Sequence, residues 1–198
     1  MSNAAFNALA ASAETLRRKM AVPGAAIGIL ARNRRFARGL GVTSIAEPRP
    51  VTASTLFQIG SITKTISAAL ALRLCDQGRL ALDRPVKAFL PELRLKDSSV
   101  ARRLTLRHLL THTGGWAGDY FDDTGRGDDA LRLRLLPQQT PLGTTWSYNN
   151  AGFYLVGRLI EAATGQSYEQ AVRTRLFSPL GMEGSIFIPE DAMTRSFA

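Results

Sequence analysis

Residues 57–78 read "FQIGSITKTISAALALRLCDQG" and place Ser61 three residues before Lys64 at the head of an apolar run. Ile62, Ile66, Ala69, Leu70 and Leu74 recur at spacings of three and four. That periodicity predicts an amphipathic helix over 61–77, with Gly78 as its left-handed stop. Residues three apart on a helix share a face, so the two side chains can meet. An unpaired ammonium is costly to bury. In the first turn, free N–H groups and the helix dipole further disfavour a positive charge. A partly desolvated Lys64 there is therefore suited to taking the serine proton. The bland alternative is an N-capping Ser61 beside a solvated Lys64, because a Ser-x-x-Lys pattern arises about once by chance in a chain of this size. Placement favours the chemical reading: it is the only such match, it opens a helix, and Gly60 permits close approach at the serine.

A second constellation lies in "WSYNNAGFYLVG", which holds the only Tyr-x-Asn, Tyr148 and Asn150, just before another helical pattern. A tyrosine near a lysine can hold or relay a proton, and an asparagine can brace the lysine and hydrogen-bond a substrate amide. The competing reading is a half-buried Tyr148 with Asn150 as a helix cap. Either Asn149 or Asn150 could start that helix, which runs to a stop at Gly165.

Around these two stretches, residues 3–20 carry Phe6, Leu9, Leu16 and Met20 at helical spacing. Two short apolar runs follow on either side of a polar turn at 32–35, predicting a hairpin without a strong Asn-Gly signal. "LDRPVKAFLPEL" is irregular, and "LTLRHLLTHTGG" predicts a short helix closed by Gly114 and Gly115. Residues 116–140 are acidic and then Arg/Leu-rich, an expected connection or lid. A short helix in "SYEQAVRTRLF", a turn at "SPLGM" and a strand-like "SIFI" complete the pattern. No internal repeat or low-complexity linker marks a second full domain.

The 198 residues, 45% hydrophobic, suffice for one well-buried core and argue against disorder. No apolar run reaches the roughly 20 residues of a membrane span, and the first twenty residues are too polar for a signal peptide's apolar segment. Cys75 is the sole cysteine, so no internal disulfide forms, and its apolar helix predicts a small core residue. The formal charge of +9 comes mainly from scattered arginines. It reads as a solvated basic surface, not as a nucleic-acid site.

Taken together and in order, these segments resemble the penicillin-recognising serine hydrolases: class C beta-lactamases, D-alanyl-D-alanine carboxypeptidases and related esterases. "FQIGSITK" looks like the nucleophile segment, "QGRLALDRPVKAFLPEL" like the stretch after its helix, and "LTLRHLLTHTGG" like the family's Leu-Leu-x-His-Thr-x-Gly turn. "PLGTTWSYNNAGFYLVGRLIEAATGQSY" and "SPLGM" match further on, so the resemblance covers residues 20–188. It implies an α+β fold, a helical region packed with an antiparallel sheet. By the same resemblance Ser61 is the acylated nucleophile, Lys64 its activating partner, Tyr148 the general base and proton relay, and Asn150 the residue that positions substrate and lysine. The Ser61 N–H would form half of an oxyanion hole. No metal or organic cofactor is implied, and the partner is a small-molecule or peptide acyl substrate.

One motif departs from that pattern. After Tyr148 there is no Lys-Thr-Gly or His-x-Gly, and Ala163-Thr164-Gly165 is a helix end. The His112-Thr113-Gly114 triplet precedes the tyrosine and belongs to a turn, where a structural role is expected; a Ser-His-Asp triad through His112 has only composition behind it. Asp119, Asp122, Asp123, Asp128 and Asp129 lack calcium-loop spacing and read as solvated loop charge. The expectation is a single domain over 1–198, C-terminally truncated relative to the family, with an incomplete sheet. Its unpaired edge would favour self-association. Full activity would then need the missing strands, the alternative being a non-catalytic remnant that binds a partner.

Overall fold

The computed structural model describes residues 1–117 and 133–187. Two compact units emerge, residues 1–59 with the described residues after 183, and residues 60–183.

The first unit opens with helix α1, Asn3–Lys19. Ser2 caps it, its hydroxyl accepting the Ala5 N–H, and Arg17, Arg18 and Lys19 complement the negative end of the dipole. Its buried residues are Phe6 and Ala10, whereas Leu9, Leu16 and Met20, expected on the apolar face, are exposed. Strands β1, Gly24–Ala31, and β2, Arg34–Gly41, form an antiparallel pair in which Ala31 faces Arg34. The connection is therefore two residues, not the four of the 32–35 turn. Arg32 and Asn33 both take positive φ, 47° and 64°. That is the type I′ geometry whose twist matches a hairpin, and Asn tolerates it without a following glycine. Phe6 of α1 meets Phe36 of β2 with ring centroids 5.3 Å apart. Arg38 lies over the first ring and Arg34 over the second, so part of the basic charge covers aromatic surface.

The second unit is mainly helical. A 3₁₀ turn, Gly60–Ile62, leads into α2, Thr63–Asp76. The expected helix thus begins two residues later, with Ser61 in the turn before it. Its buried stripe is Ser67, Leu70, Ala71 and Leu74, while Ile62 and Ala69 face outward. Cys75 is half-buried, and burial pushes its thiol up. Short helices α3, Ser98–Arg103, and α4, Leu106–Leu110, follow. Asp97 caps the first through the N–H groups of Ser99 and Val100. Helix α5, Asn150–Thr164, packs against α2 and α4. Leu155, Val156, Leu159 and Ile160 of α5 are essentially inaccessible, as are Leu70 and Leu74 of α2. Helix α6, Tyr168–Val172, passes into a π turn at Arg173–Phe177.

Of "SIFI", residues 185–187 are not in a strand and Ile188 lies outside the described residues, as do most of the expected 116–140 connection and its aspartates. The two-stranded hairpin is the only sheet among the described residues. No helix there is long and apolar enough to cross a membrane.

Candidate active site

Ser61, Lys64, Tyr148 and Asn150 come together within the second unit. Gly60 has φ +50°, a left-handed conformation that only glycine adopts readily, and it turns the chain into the 3₁₀ turn carrying Ser61. Helix α2 has no side-chain cap, and Ile62 occupies its cap position. Ser61 is thus not the N-cap of the bland reading. Its Oγ accepts from Lys64 Nζ at 3.1 Å and from the Tyr148 hydroxyl at 2.6 Å.

Lys64 is half-buried, and two kinds of contact compensate its charge. Its ammonium donates to Asn150 Oδ1 at 2.7 Å. It also lies 4.7 Å from the centre of the Tyr148 ring and 5.7 Å from that of Phe153, both cation–π distances. Asn149, not Asn150, caps α5, its Oδ1 accepting the Gly152 N–H at 2.7 Å. That leaves the first helical residue, Asn150, free to aim its side chain at α2. Asn150 is buried, and its Nδ2 has no hydrogen-bond partner. An orphaned buried donor of this kind costs about 1–3 kcal/mol.

The tyrosine is held by the turn after α4. The chain there reverses at His112, whose φ is +56°, before the two glycines expected to close the helix. The His112 carbonyl accepts the Ser147 N–H at 2.9 Å, and its Nδ1 accepts the Asn149 N–H at 2.9 Å. Between those two residues, the Tyr148 ring stacks on the imidazole at 4.8 Å and 30°. Among the described residues no hydrogen bond joins His112 to Ser61, and burial, then the Lys64 charge, push the imidazole below the usual histidine value. Gly115, with φ +85°, approaches Gln138 and Thr140 so closely that an added Cβ would collide with Gln138 Nε2 and the Thr140 carbonyl. That contact ties the turn to the chain leading toward Tyr148.

The cluster therefore has a hydroxyl with two hydrogen-bonding neighbours able to exchange protons, one cationic and one phenolic, and an amide bracing the cation. A small cavity of about 70 Å³, lined by Leu90, Leu93, Leu155 and three arginines among others, shares no residue with it. No group of three or more potential metal ligands occurs among the described residues.

A family model described as Beta-lactamase matches residues 12–197. The chain belongs to the beta-lactamase family. Similar members include penicillin-binding protein 4 of Amycolatopsis lactamdurans, 40% identical over 91% of this chain and 49% of that protein. Esterase EstB of Burkholderia gladioli is 35% identical over 82% of this chain and 47% of its own length. Among solved structures, a class C beta-lactamase from Rhodobacter sphaeroides superposes with a TM-score of 0.79 at 35% identity, covering 95% of this chain and 53% of the other. The chain thus spans about half the length of these relatives. The fold is the α+β beta-lactamase/transpeptidase fold, represented among the described residues by the helical part and a two-stranded portion of the sheet.

Sequence reading named the four residues the structure clusters, but missed Phe153, whose ring faces Lys64, and the backing role of His112. A helical phase placing Phe153 three residues beyond Asn150 pointed to the first. Nothing in the residue pattern announced a left-handed histidine.

Proposed function

We propose that this chain carries the nucleophilic centre of a serine hydrolase that works through an acyl-enzyme on an ester, a beta-lactam or a D-amino-acid peptide. The observation that carries the reading is the double hydrogen bond at Ser61 Oγ from Lys64 and Tyr148.

In the reactive ionisation state the phenol oxygen of Tyr148 is the acceptor. As Ser61 Oγ forms its bond to the acyl carbon, its proton crosses the 2.6 Å contact to that oxygen. The Lys64 ammonium offsets the charge and is itself fixed by Asn150. The Ser61 N–H, in the turn leading into α2, is one donor for the oxyanion. Collapse breaks the carbonyl bond to the leaving oxygen or nitrogen, which takes the proton from Tyr148. Water then attacks the acyl carbon, gives its proton to Tyr148, and the displaced Ser61 Oγ regains one from it.

Each oxyanion donor is worth about 10²- to 10³-fold in rate, so acylation of Ser61 is followed beside turnover. The test is hydrolysis of p-nitrophenyl acetate, a chromogenic cephalosporin and a D-Ala-D-Ala peptide by wild type and Tyr148→Phe. Turnover of at least one, sharply reduced in the variant, supports the reading. Equal rates in both proteins would remove Tyr148 from the chemistry.

A further inference from the structure

His112 grips the residues on both sides of Tyr148 and stacks on Tyr148 itself. Its carbonyl holds the Ser147 N–H and its Nδ1 holds the Asn149 N–H, each at 2.9 Å, with the tyrosine ring 4.8 Å from the imidazole between them. The same Asn149 caps α5 through Gly152, so the histidine also fixes the entry of the helix that presents Asn150 to Lys64. We propose that His112 is a positioning residue that aims the Tyr148 hydroxyl at Ser61, and that it does so only as a neutral imidazole, so that acidification releases the tyrosine. This inference rests on the reading of Tyr148 as the proton relay.

The chemistry of the ring supplies the switch. A backbone N–H can be accepted only by an unprotonated Nδ1, so the Asn149 bond requires the Nε2–H tautomer. Protonation turns Nδ1 into a donor facing another donor. The groups around the ring reinforce the neutral form: Lys64 from α2 adds a positive charge nearby, while Phe153 from α5 at 5.2 Å and Trp146 at 6.1 Å are apolar neighbours. Among the described residues no carboxylate is paired with the ring to stabilise an imidazolium. The left-handed backbone at His112 adds a constraint that few residues accept; asparagine is one of them. Asparagine also places Oδ1 about where Nδ1 sits, and so offers the same acceptor without a titratable group.

These facts define a discriminating pair of variants. His112→Asn keeps the turn and the acceptor but cannot titrate, whereas His112→Phe keeps an aromatic ring and loses the acceptor. The rate of Ser61 acylation by a fluorophosphonate is followed by intact mass from pH 5 to pH 9. At pH 8, His112→Phe is expected to fall about 10- to 100-fold, the scale of a misaimed catalytic group, while His112→Asn retains most of the rate. Below the ordinary histidine value of ~6.5, wild type loses rate by a component that His112→Asn lacks. A His112→Asn profile superimposable on wild type, or full activity in a folded His112→Phe, would overturn the proposal.

NMR decides the matter independently of acylation, using ¹⁵N-labelled wild type with His108→Gln to assign the two imidazoles. The proposal requires a bare Nδ1 on His112 at neutral pH, and the Asn149 amide and Tyr148 ring signals moving with its titration. A protonated Nδ1, or signals indifferent to that titration, would contradict it. Failure of wild type to label at Ser61, with this NMR signature present, would count against the relay reading and not against the histidine clamp.

Discussion

Lys64 Nζ lies 2.7 Å from Asn150 Oδ1, although 86 residues separate them in the chain. The contact joins the first turn of α2 to the first residue of α5, whose packed faces form the core of the second unit. The geometry of the proposed catalytic cluster and the core packing are thus one construction: any change in how α2 sits on α5 moves Lys64 relative to Asn150.

Asn150→Ala separates activity from stability. It removes the brace on Lys64, and a loosened catalytic group costs on the order of 10²-fold in acylation. It also removes the orphaned Nδ2, worth about 1–3 kcal/mol of penalty. The variant should therefore acylate far more slowly while its urea midpoint stays level or rises. A large loss of stability with acylation intact would show that the amide is a structural tie only.

Gly60→Ala and Gly78→Ala form a matched pair. Both glycines are left-handed, at φ +50° and +70°, and a Cβ would meet nothing within 4 Å at either. Each alanine should cost about 1–2 kcal/mol from backbone strain alone. Only Gly60 adjoins Ser61, the proposed nucleophile, so only Gly60→Ala should slow labelling of Ser61. Comparing unfolding midpoints with labelling rates for the two variants checks this.

Leu155→Ala should destabilise the second unit by about 2–5 kcal/mol, because the side chain is fully enclosed and its removal leaves a cavity. Leu72→Ala on the outer face of α2, where the residue is 40% exposed, is the control and should stay within about 0.5 kcal/mol. Urea unfolding followed by circular dichroism measures both.

Stability should fall as the solution is acidified below the ordinary histidine value. Burial lowers both His108 and His112, so the unfolded chain takes up protons first and the folded form is penalised as pH drops. Their contribution is complete above ~6.5 and fades as pH falls through the lowered native values. His108 also accepts the Thr105 N–H in the capping box of α4. Urea midpoints between pH 5 and pH 8 should show this slope, and it should shrink in His112→Asn. In the first unit, the hydrogen bonds from Arg17 and Arg18 hold Glu14 down to about 2, so that carboxylate adds its slope only from about pH 5 downward, at the acid end of the window.

Much of this arrangement was legible in the residues because α2 and α5 advertise themselves. Both carry apolar residues at helical spacing and a glycine stop, and the two polar motifs sit at their starts. Sequence periodicity misjudged which residues of α2 turn inward, since the buried stripe runs through Ser67. That hydroxyl is satisfied by Thr63 O and by Tyr168 at 2.7 Å, a partner 101 residues away that no local pattern reveals. The same limit applied to Leu9, Leu16 and Met20 of α1, where periodicity gave the helix but not its contacts. Helix α3 leaves no periodic signal because its six residues are too few, and only the Asp97 cap marks it in the sequence. The hairpin turn is two residues shorter than its polar run because Arg32 and Asn33 reach positive φ without glycine. The sequence around His112 predicts a structural part in a turn, while its hold on Tyr148 depends on a backbone conformation that composition does not encode.

The most direct test of the central claim is intact-mass spectrometry of the purified chain after incubation with a reactive fluorophosphonate, beside Ser61→Ala. The geometry at Ser61 Oγ predicts a single adduct of one phosphonyl group, located on Ser61 by peptide mapping and absent from the variant. A folded, monodisperse sample that gains no adduct, or gains the same adduct in Ser61→Ala, would contradict the assignment of Ser61 as the nucleophile.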